Sequence, residues 1–250
     1  MTPETGGDDA SKTFSTASLG VLNHHSTGRA MSLNGSFLSL HSARFSTEPR
    51  RAAPGEEAPI RSTIFLSGTD AEYPESGIPE RRRRECHWLG VWKEEAEVDR
   101  FLSSPETHIP RLADAESFWG LKLIPYMRRG AEIFPLELHS TKPHRDEPIV
   151  IITSIGPYSR EIDAATAGQR ASHARETLSR TDGLMHELVL IPYPPADLFT
   201  ITAWRSERAA QAWAYKGESH RSAMDFYKTA SEKTRVSFTR CLIGASFGDW

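Results

Sequence analysis

The clearest pattern of apolar and polar positions begins at Pro148. Ile149-Val150-Ile151-Ile152 is an unbroken β-branched run, the composition of a strand buried on both faces. Residues 160–180 are charged and alanine-rich, with Leu178 near the end and the Asp182-Gly183 turn behind it, and they predict a helix. Leu184 to Ile191 predicts a second strand, ended by Pro192, Pro194 and Pro195. Phe199 to Trp204 alternates and predicts a third. Residues 206–229 predict a second helix with a charged first turn after Ser206, and Val236 to Ile243 closes the series as a fourth strand.

That order, β-α-β-β-α-β, is the ferredoxin-like arrangement. The preceding stretch repeats its later part: a strand at Ser62 to Ser67, another at His87 to Trp92, a short helix at Glu94 to Leu102 and a closing strand at Phe118 to Ile124. No first strand and helix are legible before Ser62, so the first unit is either truncated or completed by the upstream segment. The expected fold is α+β, two ferredoxin-like repeats packed sheet to sheet, of the dimeric α+β barrel type, with the first repeat incomplete and a cavity between them. The boundaries are a tail over 1–58, a first repeat over 59–138, a polar linker over 139–147 and a second repeat over 148–250.

A spacing echo supports the duplication. Trp92, Glu95, Phe101, Glu106 and His108 recur 112 residues later as Trp204, Glu207, Trp213, Glu218 and His220.

Composition narrows the function classes. With 38% hydrophobic and 25% charged residues and no long uncharged apolar run, the chain does not read as an integral membrane protein. A net charge of −3 gives no global attraction to nucleic acid, and Arg81 to Arg84, after Gly77 and Pro79, reads as a solvated loop. Two cysteines, Cys86 and Cys241, are too few for a disulfide scaffold and suit a reducing compartment. The first 58 residues are rich in Ser, Thr, Gly and Ala and carry no acidic residue between Asp9 and Glu48. They read either as an organellar transit peptide with a processing site at Arg44-Phe45-Ser46 or as a disordered extension. The location follows as cytoplasmic or organellar.

Candidate chemistry concentrates on the second helix. Ala209, Trp213, His220, Met224 and Tyr227 recur near one helical face. Gly217 interrupts that helix, and Ser219 is placed to cap a fresh segment with His220 in its first turn. A histidine there tends to stay neutral and keep a lone pair for a metal. Spacing leaves two readings open, a core histidine with a satisfied hydrogen bond or a ligand. His108 sits at the matching offset, but Pro110 blocks a continued helix, so a structural or solvent-facing role is expected. His24 and His25 lie in the tail, and His139 and His144 in the linker, without zinc-site spacing. The chain has no nucleophile elbow, no phosphate-binding glycine loop and no His-Glu-x-x-His helix, so hydrolase readings drop out.

From about Phe65 to Trp250 the chain resembles the spheroidene monooxygenase family. The resemblance lies in Ser67-Gly68-Thr69, Val91-Trp92 and Glu116-Ser117-Phe118 leading to Leu123 and Pro125. It continues in Phe199-Thr200-Ile201 before Trp204, then Trp213, His220, Ala223, Arg240, Gly248 and Trp250. It implies fused ferredoxin-like repeats and a haem-dependent oxygenase acting on an apolar substrate, carotenoid or terpenoid, with reduced ferredoxin as electron donor. Haem-containing aldoxime dehydratases of similar fold also place a histidine ligand seven residues after a helix aromatic. Together these imply His220 as the axial ligand, with Trp213, Met224 and Tyr227 beside the haem. Arg240 matches a family arginine, and its guanidinium can polarise bound oxygen or pair with a haem propionate. Pro192-Tyr193-Pro194-Pro195 replaces the family's glycine-rich turn. Rival readings are a haem dehydratase or a cofactor-free monooxygenase of the same fold, or a non-catalytic binding protein.

Overall fold

A computed structural model describes residues 35–49, 64–72, 80–132, 134–156, 164–192, 198–230 and 235–248. The first repeat consists of β1 (Phe37–Arg44), β2 (Ile64–Glu72), β3 (Glu80–Trp92), α1 (Glu95–Ser103), two short 3₁₀ turns and β4 (Ser117–Gly130). The second consists of β5 (Ile149–Gly156), α2 (Ala164–Ser179), β6 (Leu184–Pro192), β7 (Leu198–Trp204), α3 (Glu207–Lys216), α4 (Glu218–Ala230) and β8 (Arg235–Phe247). The expected β-α-β-β-α-β order is present in the second repeat.

Each repeat forms a four-stranded antiparallel sheet with the same order, β4-β1-β3-β2 and β8-β5-β7-β6. The two sheets join edge to edge into one closed barrel. One seam is long, β4 on β8 from Gly120↔Phe247 to Gly130↔Ser237, and the other rests on Gly68↔Pro192 and Thr69↔Ile191. Closure removes the unpaired strand edges that open sheets must protect.

Alternation along the strands sorts side chains to two faces. Leu40, Leu89, Leu121, Val150, Leu188 and Ile201 belong to the apolar cluster inside the barrel. Outside it, Trp88 and Trp92 lie under α1, packed with Val98 and Phe101, while Ile149, Trp204 and Leu242 lie under α2 and α3. Each fully buried Leu, Ile or Phe contributes roughly 1.5–3 kcal/mol relative to exposure. An apolar cluster therefore occupies the region where the repeat model placed a cavity, and the two helical layers become the places to look for a site.

Register makes the duplication quantitative. Phe37 pairs with Trp92 as Ile149 pairs with Trp204, and Ser39 pairs with Lys122 as Ile151 pairs with Arg240. Trp92 and Trp204 both donate their indole N–H to a hydroxyl 2.9 Å away, Ser39 Oγ and Thr202 Oγ1 respectively.

Four expectations are corrected. The first strand of repeat one exists and lies inside the stretch read as a tail. Phe37, Leu38 and Leu40 are buried in it, and processing at Arg44-Phe45-Ser46 would remove it from the barrel. Its Ser- and His-containing sequence, Phe-Leu-Ser-Leu-His-Ser-Ala-Arg, hides the alternation because Ser39 and His41 are buried too. Residues 46–49, the part described between β1 and the start of the undescribed segment, contain no helix. The arginine run Arg81 to Arg84 belongs to β3 rather than to a loop. Finally, the linker is anchored at its start, where His139 is buried and its Nε2 lies 2.8 Å from the Ser36 carbonyl oxygen. Among the described residues no helix is long and apolar enough to cross a membrane.

Candidate active site

The break between α3 and α4 builds the site. Ser206 caps α3 by accepting the Ala209 N–H at 3.2 Å, and the helix runs to Lys216. Gly217 then leaves helical geometry with ψ 116°, while its N–H still bonds to the Trp213 carbonyl at 3.0 Å. A Cβ on Gly217 would approach that carbonyl oxygen to 2.8 Å, so the close turn requires a glycine. The chain restarts as α4 at Glu218, which places His220 in the first turn as expected. Ser219 is not the cap. It sits inside the helix, and its hydroxyl bonds to Thr177 Oγ1 on α2 at 2.7 Å, tying the two helices together.

His220 is half-buried and its Nδ1 lies 3.0 Å from the Ala214 carbonyl oxygen, across the break. A carbonyl only accepts, so Nδ1 carries the proton. Burial lowers the imidazole's proton affinity and the Ala214 bond opposes this in part, with a net downward shift that favours the neutral ring. In that tautomer Nε2 keeps its lone pair. A histidine whose Nδ1–H is fixed by a backbone carbonyl is the arrangement that orients Nε2 toward a metal. The ring also packs on Trp213, with centroids 4.2 Å apart and planes at 50°. Trp213 Nε1 is buried without a hydrogen-bond partner among the described residues. Met224 is half-buried one turn further along α4, and Tyr227 follows on the same helix with its side chain outside the described set.

Arg240 points outward from β8 into the layer under α3, not into the barrel interior occupied by its neighbour Cys241. There it forms an ion pair with Glu207, in the first turn of α3. The same layer holds Tyr126, which the sequence reading missed. Burial raises its pKa, as does the Glu207 carboxylate, against the opposing influence of Arg240. Its hydroxyl has no hydrogen-bond partner among the described residues. Only the strand register could have singled it out, since Tyr126 lies where the β4–β8 pairing skips a residue, between Pro125↔Cys241 and Met127↔Arg240.

The first repeat carries the matching constellation in disabled form. Trp92, Phe101 and His108 form a ring series with centroid separations of 4.9 and 5.5 Å, where Trp204, Trp213 and His220 have 5.9 and 4.2 Å. His108, however, closes a three-residue 3₁₀ turn with Pro110 two residues on, and no second helix starts there.

Among the described residues no group of three or more His, Cys, Asp or Glu side chains is arranged to hold a bare metal ion. A single histidine with a fixed tautomer suits a metal whose remaining ligands come from a macrocycle.

No family model matches the chain, and no curated protein matches it in sequence. Solved structures do match in shape. An aldoxime dehydratase in complex with butyraldoxime is 12% identical with a TM-score of 0.55, covering 86% of this chain and 82% of its own. A second aldoxime dehydratase is 12% identical with a TM-score of 0.56, covering 88% and 86%. A haem-degrading enzyme from Listeria monocytogenes aligns over 82% of this chain and 97% of its own at 10% identity, with a TM-score of only 0.31. At these identities the likeness is one of architecture, and the chain shares with the aldoxime dehydratases the α+β barrel of two ferredoxin-like repeats.

Proposed function

We propose that the chain is a haem-dependent oxygenase of an apolar small molecule, with His220 as the axial ligand. The observation that carries this reading is the Nδ1–H bond from His220 to the Ala214 carbonyl, which leaves Nε2 as the basic atom of a neutral ring. Trp213 backs the imidazole, and Met224 and Tyr227 extend the same helical surface. Haem, when bound, supplies the one-electron and oxygen chemistry. The protein contributes the ligand, its orientation, and an apolar layer under α2 and α3 that excludes water. Arg240, held by Glu207, places a guanidinium in that layer. The carotenoid or terpenoid nature of the substrate and the ferredoxin donor come from the resemblance to spheroidene monooxygenases.

The test is an absorption titration of the purified full chain with ferric haem. A Soret band that His220→Ala removes is the expected result, followed by oxygen consumption when a reduced ferredoxin is supplied. An unaltered band in His220→Ala, or no band at all, leaves a cofactor-free or non-catalytic barrel. A second reading, a haem dehydratase, is favoured by the two aldoxime dehydratase structures that share the fold. Dehydration of an aldoxime to a nitrile is redox-neutral overall, so conversion of butyraldoxime without oxygen uptake separates it from the first.

A further inference from the structure

Both repeats pin their main helix to the sheet with an ion pair, and the pairs differ in how completely they are satisfied. Lys122 on β4 holds the register position that Arg240 holds on β8, and Glu95 at the start of α1 corresponds to Glu207 at the start of α3. Lys122 Nζ donates to two carboxylates, Asp99 at 2.6 Å and Glu95 at 3.0 Å. In the second repeat Arg240 pairs with Glu207, and the position of Asp99 is taken by the exposed, uncharged Gln211. A guanidinium has five donors in a planar fork where an ammonium has three. The second repeat therefore carries more donors and one carboxylate fewer.

Tyr126 adds a donor at the same place. It is the extra residue where the β4–β8 register shifts opposite Arg240 and Cys241, and such bulges re-aim a side chain. Its hydroxyl is buried under α3, within reach of the charges of Glu207 and Arg240, with no hydrogen-bond partner among the described residues. A buried, unpaired hydroxyl costs free energy until something arrives to accept from it. The Arg240 side chain retains 15% exposure, so the place is reachable.

We infer that Tyr126 and Arg240 form a carboxylate-recognition site in the layer between the sheet and α3, filling for a ligand the role that Asp99 fills within the first repeat. This rests on the reading of that layer as the ligand site. The carboxylate has two sources, a propionate of a porphyrin or the headgroup of an apolar acid substrate. Arg240 receives it bidentately, as guanidinium and carboxylate geometry favours, and Tyr126 donates a further bond.

The experiment compares acids with their esters on the full chain: ferric protoporphyrin IX against its dimethyl ester by absorption, and dodecanoate against methyl dodecanoate by calorimetry. At least one acid is expected to bind about tenfold tighter than its ester, the gain of a charge-assisted hydrogen bond. Tyr126→Phe removes only the hydroxyl, and Gln211→Asp, at an exposed helix position, supplies the missing carboxylate internally. Both are expected to bring acid and ester to within about threefold of each other. The pair in which the preference appears identifies the source. No preference for either acid, or a preference that either variant leaves intact, overturns the inference. Failure of porphyrin to bind, or binding indifferent to His220→Ala, sinks the haem reading alone, and the aliphatic pair then decides the carboxylate site by itself.

Discussion

Trp213 packs its indole on the imidazole of His220 with ring centroids 4.2 Å apart, on opposite sides of the helix break at Gly217. The break lets α4 present His220 back toward the end of α3, where the Ala214 carbonyl takes its Nδ1 proton. Replacing Gly217 by alanine brings a Cβ to 2.8 Å from the Trp213 carbonyl and to 3.8 Å from the His220 Cβ, so one of them must move. The expected outcome for Gly217→Ala is a loss of about tenfold in haem affinity at a stability cost near 1 kcal/mol, because the lesion is the orientation of one ring. Soret titration and thermal melting measure the two separately. Full haem affinity in this variant would contradict the view that the break sets the ligand.

His41 offers a prediction about pH. It is fully buried on the outer face of β1, between the rings of Phe101 and Phe247, and neither ring nitrogen has a hydrogen-bond partner among the described residues. Burial pushes its pKa down from 6.5 to about 3. The unfolded chain therefore binds a proton here that the folded chain refuses, and folding stability falls as pH drops from about 6.5 toward 3. The contribution over the whole window is on the order of 4 kcal/mol. Above pH 6.5 it has no effect. His41→Leu is expected to flatten that part of the stability–pH curve and to raise stability at neutral pH by about 1–2 kcal/mol, since it removes two unsatisfied buried nitrogens. Urea melts between pH 4 and pH 8, on the scale set by these pKa values, provide the check. An unchanged slope in the variant would show that His41 is hydrated or bonded in solution.

The strand that contains His41 yields the next expectation. β1 pairs with both β3 and β4, and its inward residues Leu38 and Leu40 belong to the barrel core. Deleting residues 1–45 removes both ladders of the central strand of the first sheet, a loss that exceeds the 5–15 kcal/mol net stability of a typical domain. The truncated protein is expected to lack cooperative unfolding by circular dichroism. A folded product would mean that the barrel tolerates an open first sheet.

The sequence reveals the second repeat almost completely because its strands alternate or run β-branched, and its helices are bounded by Ser206, Gly217 and the Asp182-Gly183 turn. The first repeat is obscured where burial is polar. Ser39, His41 and Lys122 all point under α1, and each breaks the apolar pattern that marks a strand face. The spacing of Trp92, Phe101 and His108 against Trp204, Trp213 and His220 carried true geometry, since both series form ring contacts. Periodicity found His220 but not its partner, because the partner is the backbone carbonyl of Ala214 and a carbonyl has no sequence signature. Tyr126 was invisible for a related reason: a bulge is a property of two strands in register, and one strand read alone does not show it.

The correspondence of Lys122 with Arg240 can be tested through stability without any ligand. Burial alone would depress the Lys122 ammonium, but the hydrogen bonds and charges of Asp99 and Glu95 outweigh it and hold the pKa above the ordinary lysine value. Lys122→Met leaves two half-exposed carboxylates side by side at the start of α1, and a loss of about 1–3 kcal/mol is expected. Asp99→Asn should cost more than Glu95→Gln, because Asp99 makes the shorter bond. In the second repeat the sign reverses. Gln211→Asp gives Arg240 the second carboxylate that Lys122 already has, so the ligand-free chain should gain about 0.5–1 kcal/mol, the scale of a partly exposed ion pair. The gain should vanish in the background of Arg240→Met, which a double-mutant cycle by urea unfolding reads directly. A Gln211→Asp variant no more stable than the parent, or one whose gain survives the loss of Arg240, would mean that position 211 does not face Arg240 as Asp99 faces Lys122.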